Sequence, residues 1–380
     1  MPIYLDNNAT TPVDPRVLET MLPWFSEKFG NAASSTHSFG WEAETAVKLA
    51  RQKIADAIGA LPEEIIFTSG STEAINLAIK GVAELYGRKG NHFITVKTEH
   101  KAVLDVFGYL EKAGKQVTYL EVDNQGNINL DELKSAISDQ TVLAAIMVAN
   151  NETGTIHPYE EISAILKERG VIFMSDATQA IGKINLRVED SGIDLMCLSA
   201  HKFYGPKGVG ALYKRRRGPR VALAAQIHGG GHEKGFRSGT LNVPGIVGMG
   251  KAIGLAYEES ENFAQHTGEL RDQLESKILE IDGTQVNGNI QSRLSNTSNI
   301  SFADLDGDML IKALREIAVS HGSACTSAVP EPSHVLSAMG IEEDLSYASI
   351  RFSLGRFSTK DEIEKSVEIV RKAVDHLRLT

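Results

Sequence analysis

Val171-Ile172-Phe173-Met174-Ser175-Asp176-Ala177-Thr178-Gln179 and, further on, Asp194-Leu195-Met196-Cys197-Leu198-Ser199-Ala200-His201-Lys202 show one pattern twice. An apolar run of strand length ends in polar, chemistry-bearing residues. Runs that are apolar at consecutive positions are buried on both faces, as in a parallel sheet covered by helices. Working outward, Glu64-Ile65-Ile66-Phe67-Thr68, His92-Phe93-Ile94-Thr95-Val96 and residues 141–149 have the same character. Helical patterns with one polar face lie between the runs, over residues 74–86, 102–113, 130–137 and 160–169. Strand and helix taking turns predicts an α/β fold around a mixed, mostly parallel sheet. Beyond about residue 255 the pattern changes to a long charged helix over 256–280, an Asn/Gly/Ser-rich stretch, a short strand at Asn299-Ile300-Ser301-Phe302 and a terminal helix over 360–377. This predicts a large domain over 13–255 and a smaller α+β domain made of 1–12 and 256–380.

Composition narrows the function. The 380 residues, 42% of them hydrophobic, suffice for one large or two ordinary cores. Two cysteines build no disulfide framework, which points to a reducing compartment, the cytoplasm by default. The N-terminus has neither a basic n-region nor an apolar h-region, and no apolar run approaches membrane-spanning length, so no membrane association is expected. With 39 Lys and Arg against 49 Asp and Glu the net charge is 39 − 49 = −10, against direct nucleic-acid binding. The basic run Lys214-Arg215-Arg216-Arg217-Gly218-Pro219-Arg220 lacks interleaved aromatics and reads as a solvated turn, or secondarily as a site for an acidic protein partner. His228 and His232 are spaced like zinc ligands, but the glycines between them form no helix face and no third ligand is near; no metal is expected.

Sheets of this class bind ligands beyond the carboxyl ends of their strands. After Phe67-Thr68 comes Ser69-Gly70-Ser71-Thr72-Glu73-Ala74 and then a helix: hydroxyls and free N–H groups at a helix N-terminus suit a phosphate, although a capping arrangement has the same appearance. The Gly-Lys-Ser/Thr element of a P-loop is missing. Asp176, at a buried strand end, needs a cationic partner, or else it is a helix N-cap. Lys202 in Ser199-Ala200-His201-Lys202 is a salt-bridge lysine or an amine for Schiff-base chemistry. A hydroxyl-rich helix start, an acid for a ring nitrogen and a lysine for an aldehyde are together what pyridoxal 5'-phosphate (PLP) requires.

These residues resemble the cysteine desulfurases of the NifS/IscS type, PLP enzymes with the aspartate-aminotransferase-like fold. The resemblance runs from Tyr4-Leu5-Asp6-Asn7-Asn8-Ala9-Thr10-Thr11-Pro12 to Arg351-Phe352-Ser353-Leu354-Gly355-Arg356-Phe357. Its most specific segments are Thr98-Glu99-His100-Lys101-Ala102, Asn150-Asn151-Glu152-Thr153-Gly154, His228-Gly229-Gly230-Gly231-His232-Glu233, Arg237-Ser238-Gly239-Thr240 and Gly322-Ser323-Ala324-Cys325-Thr326-Ser327. The resemblance implies that Lys202 holds PLP, Asp176 pairs with its ring nitrogen, Gln179 bonds its ring hydroxyl and His100 stacks on the ring. It implies that Ser71, Thr72, Ser199 and His201 hold the phosphate, with Thr240 reaching in from the other subunit of a homodimer. Asn151 and Arg351 would bind the carboxylate of L-cysteine. Cys325 would take the sulfur as a persulfide, release L-alanine and hand the sulfur to an acceptor protein such as an iron–sulfur scaffold.

The two cysteines differ in setting. Cys197 lies within an apolar strand and reads as inert core, while Cys325 has loop neighbours and an accessible thiol. Selenocysteine lyase and PLP-dependent aminotransferase are the alternatives within the same chemistry, and Cys325 favours desulfuration because transamination needs no acceptor thiol. A noncatalytic scaffold is disfavoured by the joint presence of Lys202, Asp176, His100 and Cys325. The sequence stops at Leu377-Arg378-Leu379-Thr380, whereas IscS-type members carry a longer tail that helps dock the scaffold, a departure that weakens the expectation of scaffold binding. His321, near Cys325, reads as an exposed loop histidine.

Overall fold

A computed structural model describes residues 2–321 and 332–379. Seven strands form the main sheet, in the order Ile65–Thr68, Gly210–Lys214, Leu195–Ser199, Ile172–Asp176, Thr141–Ala145, His92–Val96 and Gln116–Leu120. Gly210–Lys214 is antiparallel to both neighbours and all other pairings are parallel. Six strands therefore point the same way, and Thr68, Val96, Leu120, Ala145, Asp176 and Ser199 end on one edge. The polar residues that follow each apolar run are brought together by this topology alone.

Strand residues alternate between two cores, as a pleated strand requires. Phe67, Ile94, Ala144, Phe173, Met196 and Leu198 pack on one side with the helices Ser38–Ile58, Tyr159–Glu168 and Val243–Glu258. Ile66, Phe93, Leu143, Met174, Leu195 and Cys197 pack on the other with Ser71–Leu85 and Lys101–Lys112. A third core, formed by Leu5 and by residues from Leu270 to Val374, lies under the antiparallel sheet Ser349–Ser353, Thr297–Phe302, Thr284–Asn287. Ile3–Tyr4 pairs with Ile317–Ala318, which joins the N-terminus to this smaller layer.

Three local expectations change. The apolar run 141–149 ladders only as far as Ala145, after which Ile146 and Val148 still donate to Met174 and Asp176 carbonyls while the chain turns into the site. The long helix predicted over 256–280 is two helices, Val243–Glu258 and Ser260–Ile278. Glu259 leaves helical geometry between them, and its carboxylate meets Arg16 and Arg356. His321 is not exposed: burial depresses its basicity.

The site edge is closely packed. A Cβ added at Gly210 would lie 2.5 Å from the Leu198 carbonyl oxygen and 2.6 Å from Gly70 Cα, which immediately precedes Ser71. Gly210→Ala is expected to cost about 1–3 kcal/mol by overpacking. Thermal unfolding should show this as a midpoint lowered by several degrees, and an unchanged midpoint would mean that the Gly70 turn yields freely.

Candidate active site

A cleft of about 650 Å³ opens at the carboxyl edge of the main sheet, where Ser71, His100, Asp176, Ser199, Lys202 and Arg351 all line it. At one end the helix Ser71–Leu85 begins, with Gly70 as its N-cap. Ser71 Oγ lies 2.5 Å from Thr178 Oγ1, and Thr72, Ser199 and His201 line the same cleft. Glu73 reaches back to the Ser69 N–H at 2.9 Å, so the capping arrangement exists as well. The Ser71 hydroxyl is nevertheless turned across the cleft and not onto its own helix. The resulting ring of hydroxyls and free helix N–H groups is built for an anion.

Asp176 closes the strand Ile172–Asp176 and is 8% exposed; its Oδ1 accepts from the Thr178 N–H at 2.9 Å. Cys197 is its register partner on the next strand, fully buried, with Sγ donating to the Ser175 carbonyl at 3.8 Å. Burial first, and Asp176 next, push that thiol well up, so it stays protonated.

Lys202 ends the short 3₁₀ turn Ala200–Lys202, and its Nζ donates to the Asn8 and Ala9 carbonyls at 2.6 and 2.8 Å. Gln179 Nε2 donates to the same Asn8 carbonyl at 2.9 Å, while its Oε1 accepts from Lys183 Nζ at 2.8 Å. His201 Nδ1 lies 3.1 Å from Thr10 Oγ1, and burial, then the positive charges of Lys202 and Lys207, hold it down to about 4.

His100 caps the helix Lys101–Lys112, with Nδ1 accepting the Ala102 N–H at 3.1 Å. Burial holds its basicity below the ordinary range against the pull of Asp176. A neutral imidazole whose Nδ1 accepts carries its proton on Nε2. Glu99, beside it, is buried, accepts the Met147 N–H and is pushed well up by burial and by Asp176.

Arg351 stands on Ser349–Ser353 of the small sheet, 3% exposed. One terminal nitrogen donates to Asp6 at 2.7 Å, the other to the Asn151 carbonyl at 3.1 Å, and Nε is buried without a partner among the described residues. Asn151 lies in the turn 150–154, which Asn150 Oδ1 shapes by accepting from Glu152 and Thr153 N–H at 2.8 and 3.0 Å. Both line the cleft.

Thr240 lies apart from these residues. It is exposed and outside the cleft lining, in a segment anchored by the ion pairs Arg51–Glu233 and Arg237–Glu73, each at 2.7–2.8 Å. Cys325 lies outside the described residues. Beyond it, Ser333 Oγ donates to Glu152 at 2.5 Å and His334 Nε2 lies 2.9 Å from the Glu99 carbonyl oxygen. Among the described residues no group of three His, Cys, Asp or Glu side chains is arranged to hold a metal, and His232 Nδ1 instead accepts the Gly239 N–H at 3.2 Å.

The structure adds Asn8, Thr178, Lys183 and Asp6 to the site. Thr178 was open to recognition as the hydroxyl two residues past Asp176. The others come from the N-terminal segment or the rear of the cleft, and nothing local in the sequence marks them.

The sequence profile of the family described as Aminotransferase class-V matches residues 3–365. This chain belongs to the class-V aminotransferase family. It is 54% identical over 379 residues to "Cysteine desulfurase IscS" of Anaeromyxobacter dehalogenans (strain 2CP-C), covering 100% of this chain and 94% of that one. To the protein of the same name from Pectobacterium carotovorum subsp. carotovorum (strain PC1) it is 52% identical over 380 residues, covering 100% of this chain and 94% of that one. The solved structure "NIFS-LIKE PROTEIN" superposes with a TM-score of 0.93 at 40% identity over 99% of this chain and all of that one. "SspA in complex with cysteine" does so with a TM-score of 0.82 at 39% identity over 94% of this chain and all of that one.

The turn bearing Asn151 rests on His157, whose N–H donates to the Val148 carbonyl at 3.0 Å. Both ring nitrogens of His157 are buried without a partner among the described residues, and burial lowers it to about 4. The unfolded chain takes up this proton near pH 6.5 and the folded one only near 4, so stability is full above 6.5 and falls with pH across that window. His157→Leu is expected to retain roughly 3 kcal/mol more of the pH 7 stability at pH 4. Urea titrations at both pH values measure the difference, and parallel losses in the two proteins would contradict it.

Proposed function

We propose that this chain is a PLP-dependent cysteine desulfurase, which converts L-cysteine to L-alanine and carries the sulfur as a persulfide on Cys325 to an acceptor protein. The observation that carries the reading is the meeting, in one cleft, of the Lys202 amine, the Asp176 carboxylate and the Ser71–Thr178 hydroxyl pair. The "Cysteine desulfurase IscS" relatives, similar along the full chain, support the same activity.

The residues present fit the cofactor. Ser71, Thr72, Thr178, Ser199 and His201 would hold the phosphate on the helix N-terminus, Asp176 the ring nitrogen, Gln179 the ring hydroxyl and Lys202 the aldehyde carbon, with His100 against the ring face. PLP, when bound, supplies an electron sink for the Cα of an amino acid. Asp176 would stand beside the ring nitrogen and favour its protonated form. Lys202 Nζ would take and return the substrate's Cα proton. His100, neutral with its proton on Nε2, is a proton donor that brings no charge of its own. Arg351 retains donors beyond those used by Asp6 and Asn151 and offers them, with the Asn151 side chain, to the substrate carboxylate. The substrate Cβ–S bond breaks as the Cys325 Sγ–S bond forms, the thiol proton is lost to the surroundings, and alanine leaves with a proton in place of the sulfur.

A homodimer completes this reading. Phe25, Phe29, Phe39 and Trp41 are 49–65% exposed around the helices Pro23–Ser26 and Ser38–Ile58, an apolar surface suited to a second copy. Thr240, outside its own cleft, would reach the partner's phosphate site. The acceptor protein is the remaining partner. Among the described residues no helix is long and apolar enough to cross a membrane.

Lys202→Ala is expected to lose both the visible absorbance of bound PLP and all alanine production. Cys325→Ser should keep the absorbance and its change on adding L-cysteine, yet release almost no alanine. Peptide mass spectrometry after cysteine and alkylation should find the added sulfur on the Cys325 peptide; sulfur on the Cys197 peptide, or full activity of the serine variant, would instead favour a lyase or aminotransferase.

Arg351→Ala should raise the L-cysteine concentration for half-maximal rate by at least about tenfold while PLP is retained. An unchanged cysteine dependence would reduce Arg351 to a structural ion pair with Asp6.

A further inference from the structure

Lys183 lies behind the cleft, four residues past Gln179, and has no part in the reaction described above. It is 8% exposed, yet among the described residues its Nζ donates only to neutral amides: Gln179 Oε1 at 2.8 Å and Asn8 Oδ1 at 3.1 Å. The charged groups that face it are Lys202 and Arg351, both cationic, Arg351 bringing Asp6 as counter-ion. Burial, and those two cations after it, bring the amine down to about 7. A buried ammonium opposite two cations works against folding. An apolar side chain of the same length would avoid that cost, so the hydrogen-bond geometry has to supply the reason for a lysine.

An ammonium can only donate. Gln179 must therefore turn Oε1 toward Lys183, which leaves Nε2 toward the Asn8 carbonyl at 2.9 Å. That carbonyl also receives Lys202 Nζ at 2.6 Å. One Gln179 N–H is taken by Asn8, and the residue lines the cleft, so its second N–H is available there as a donor. The Asn8 carbonyl, which can only accept, asks for the same orientation, and Lys183 reinforces it by occupying the oxygen end.

We propose that Lys183 is a positioning residue of the cofactor site, which together with the Asn8 carbonyl holds Gln179 as a hydrogen-bond donor to the cleft and sets a positive charge one amide away from Lys202. The inference rests on the reading that Lys202 carries PLP. Both effects disfavour an additional proton at the Lys202–cofactor linkage: the donor steadies negative charge on the ring oxygen, and the cation repels a second cation. Among the described residues, Asp176, His100, His201, Lys207, Glu152, His334 and Arg351 line the same cleft as Lys202, and the substitution leaves them in place.

The test is a pH titration of the visible absorbance of the purified holoenzyme, in the wild type, Lys183→Met, Lys183→Arg and Lys202→Ala. Lys183→Met should keep the bound cofactor and move the midpoint upward by at least ~0.5 pH unit, while Lys183→Arg, which retains a donor and the charge, should stay near the wild type. If the methionine variant does not fold, Lys183→Gln, polar and uncharged, takes its place with the same expected shift. An unmoved midpoint in the uncharged variant, or an equal movement in Lys183→Arg, overturns the proposal. A visible band that survives in Lys202→Ala overturns instead the reading on which it rests.

Discussion

Asn8 is 1% exposed, and each of its polar atoms is engaged across a different part of the molecule. Its N–H donates to Ser353 Oγ, its side-chain nitrogen to the Asn151 carbonyl and Thr297 Oγ1, its side-chain oxygen accepts from Lys183 and Asn296, and its carbonyl accepts from Gln179 and Lys202. Three of these partners belong to the small layer and four to the large sheet and its loops. A buried amide leaves unsatisfied groups if any partner withdraws, and each such group costs about 1–3 kcal/mol. The position of the lysine, of the glutamine and of the turn carrying Asn151 is thus set by one residue of the N-terminal segment. Networks of this kind specify one arrangement because partial satisfaction is worse than none.

The same logic explains the buried charges. Arg351 is clamped between Asp6 and the Asn151 carbonyl, and removing one partner of such a pair strands the other in a low-dielectric interior at a cost of about 3–5 kcal/mol. Arg51 and Arg237 hold Glu233 and Glu73, and Glu233 also accepts the Phe67 N–H at 2.8 Å. The segment bearing Thr240 is in this way tied to the strand whose end carries Ser71, which places an exposed threonine at a defined distance from the sheet edge without packing it there.

Much of this site was legible because its members follow apolar strands. Lys202, Asp176 and Ser71 each come directly after a run that can only be a buried strand, and a parallel sheet gathers such ends on one edge. Asn8, Asp6 and Lys183 were not legible, since their roles depend on the N-terminal segment crossing between two sheets, a long-range fact with no local periodicity. The edge strand Gln116–Leu120 was missed because it is half exposed and polar at Gln116 and Thr118. Gly210–Lys214 was hidden by the glycine-rich turn before it and by the basic run that it enters. There Lys214 is buried with its Nζ donating to the Val221 carbonyl at 3.2 Å, and Arg215 pairs with Asp194, so part of the run is structural and not a solvated face. The break at Glu259 was invisible because both flanking segments are good helix formers, and the distant arginines Arg16 and Arg356 decide the matter.

The electrostatics of the cleft run against those of the chain. A protein of net charge −10 repels anions in general, yet the proposed ligands are a phosphate and an amino acid carboxylate. Screening confines surface charge to about 8 Å at physiological ionic strength, whereas groups inside a cleft are screened far less. Lys183, Lys202 and Arg351 are held together there, with Asp6 and Asp176 as nearby acids, while Glu99 is pushed well up by burial and therefore adds no negative charge. His100 and His201 are held below their ordinary range, so neither adds a positive charge that would leave when the pH rises. The local field is made of groups held in place by hydrogen bonds, of which Lys183, brought down to about 7, loses its charge as the pH rises through neutrality, and the acidity of the outer surface does not reach it.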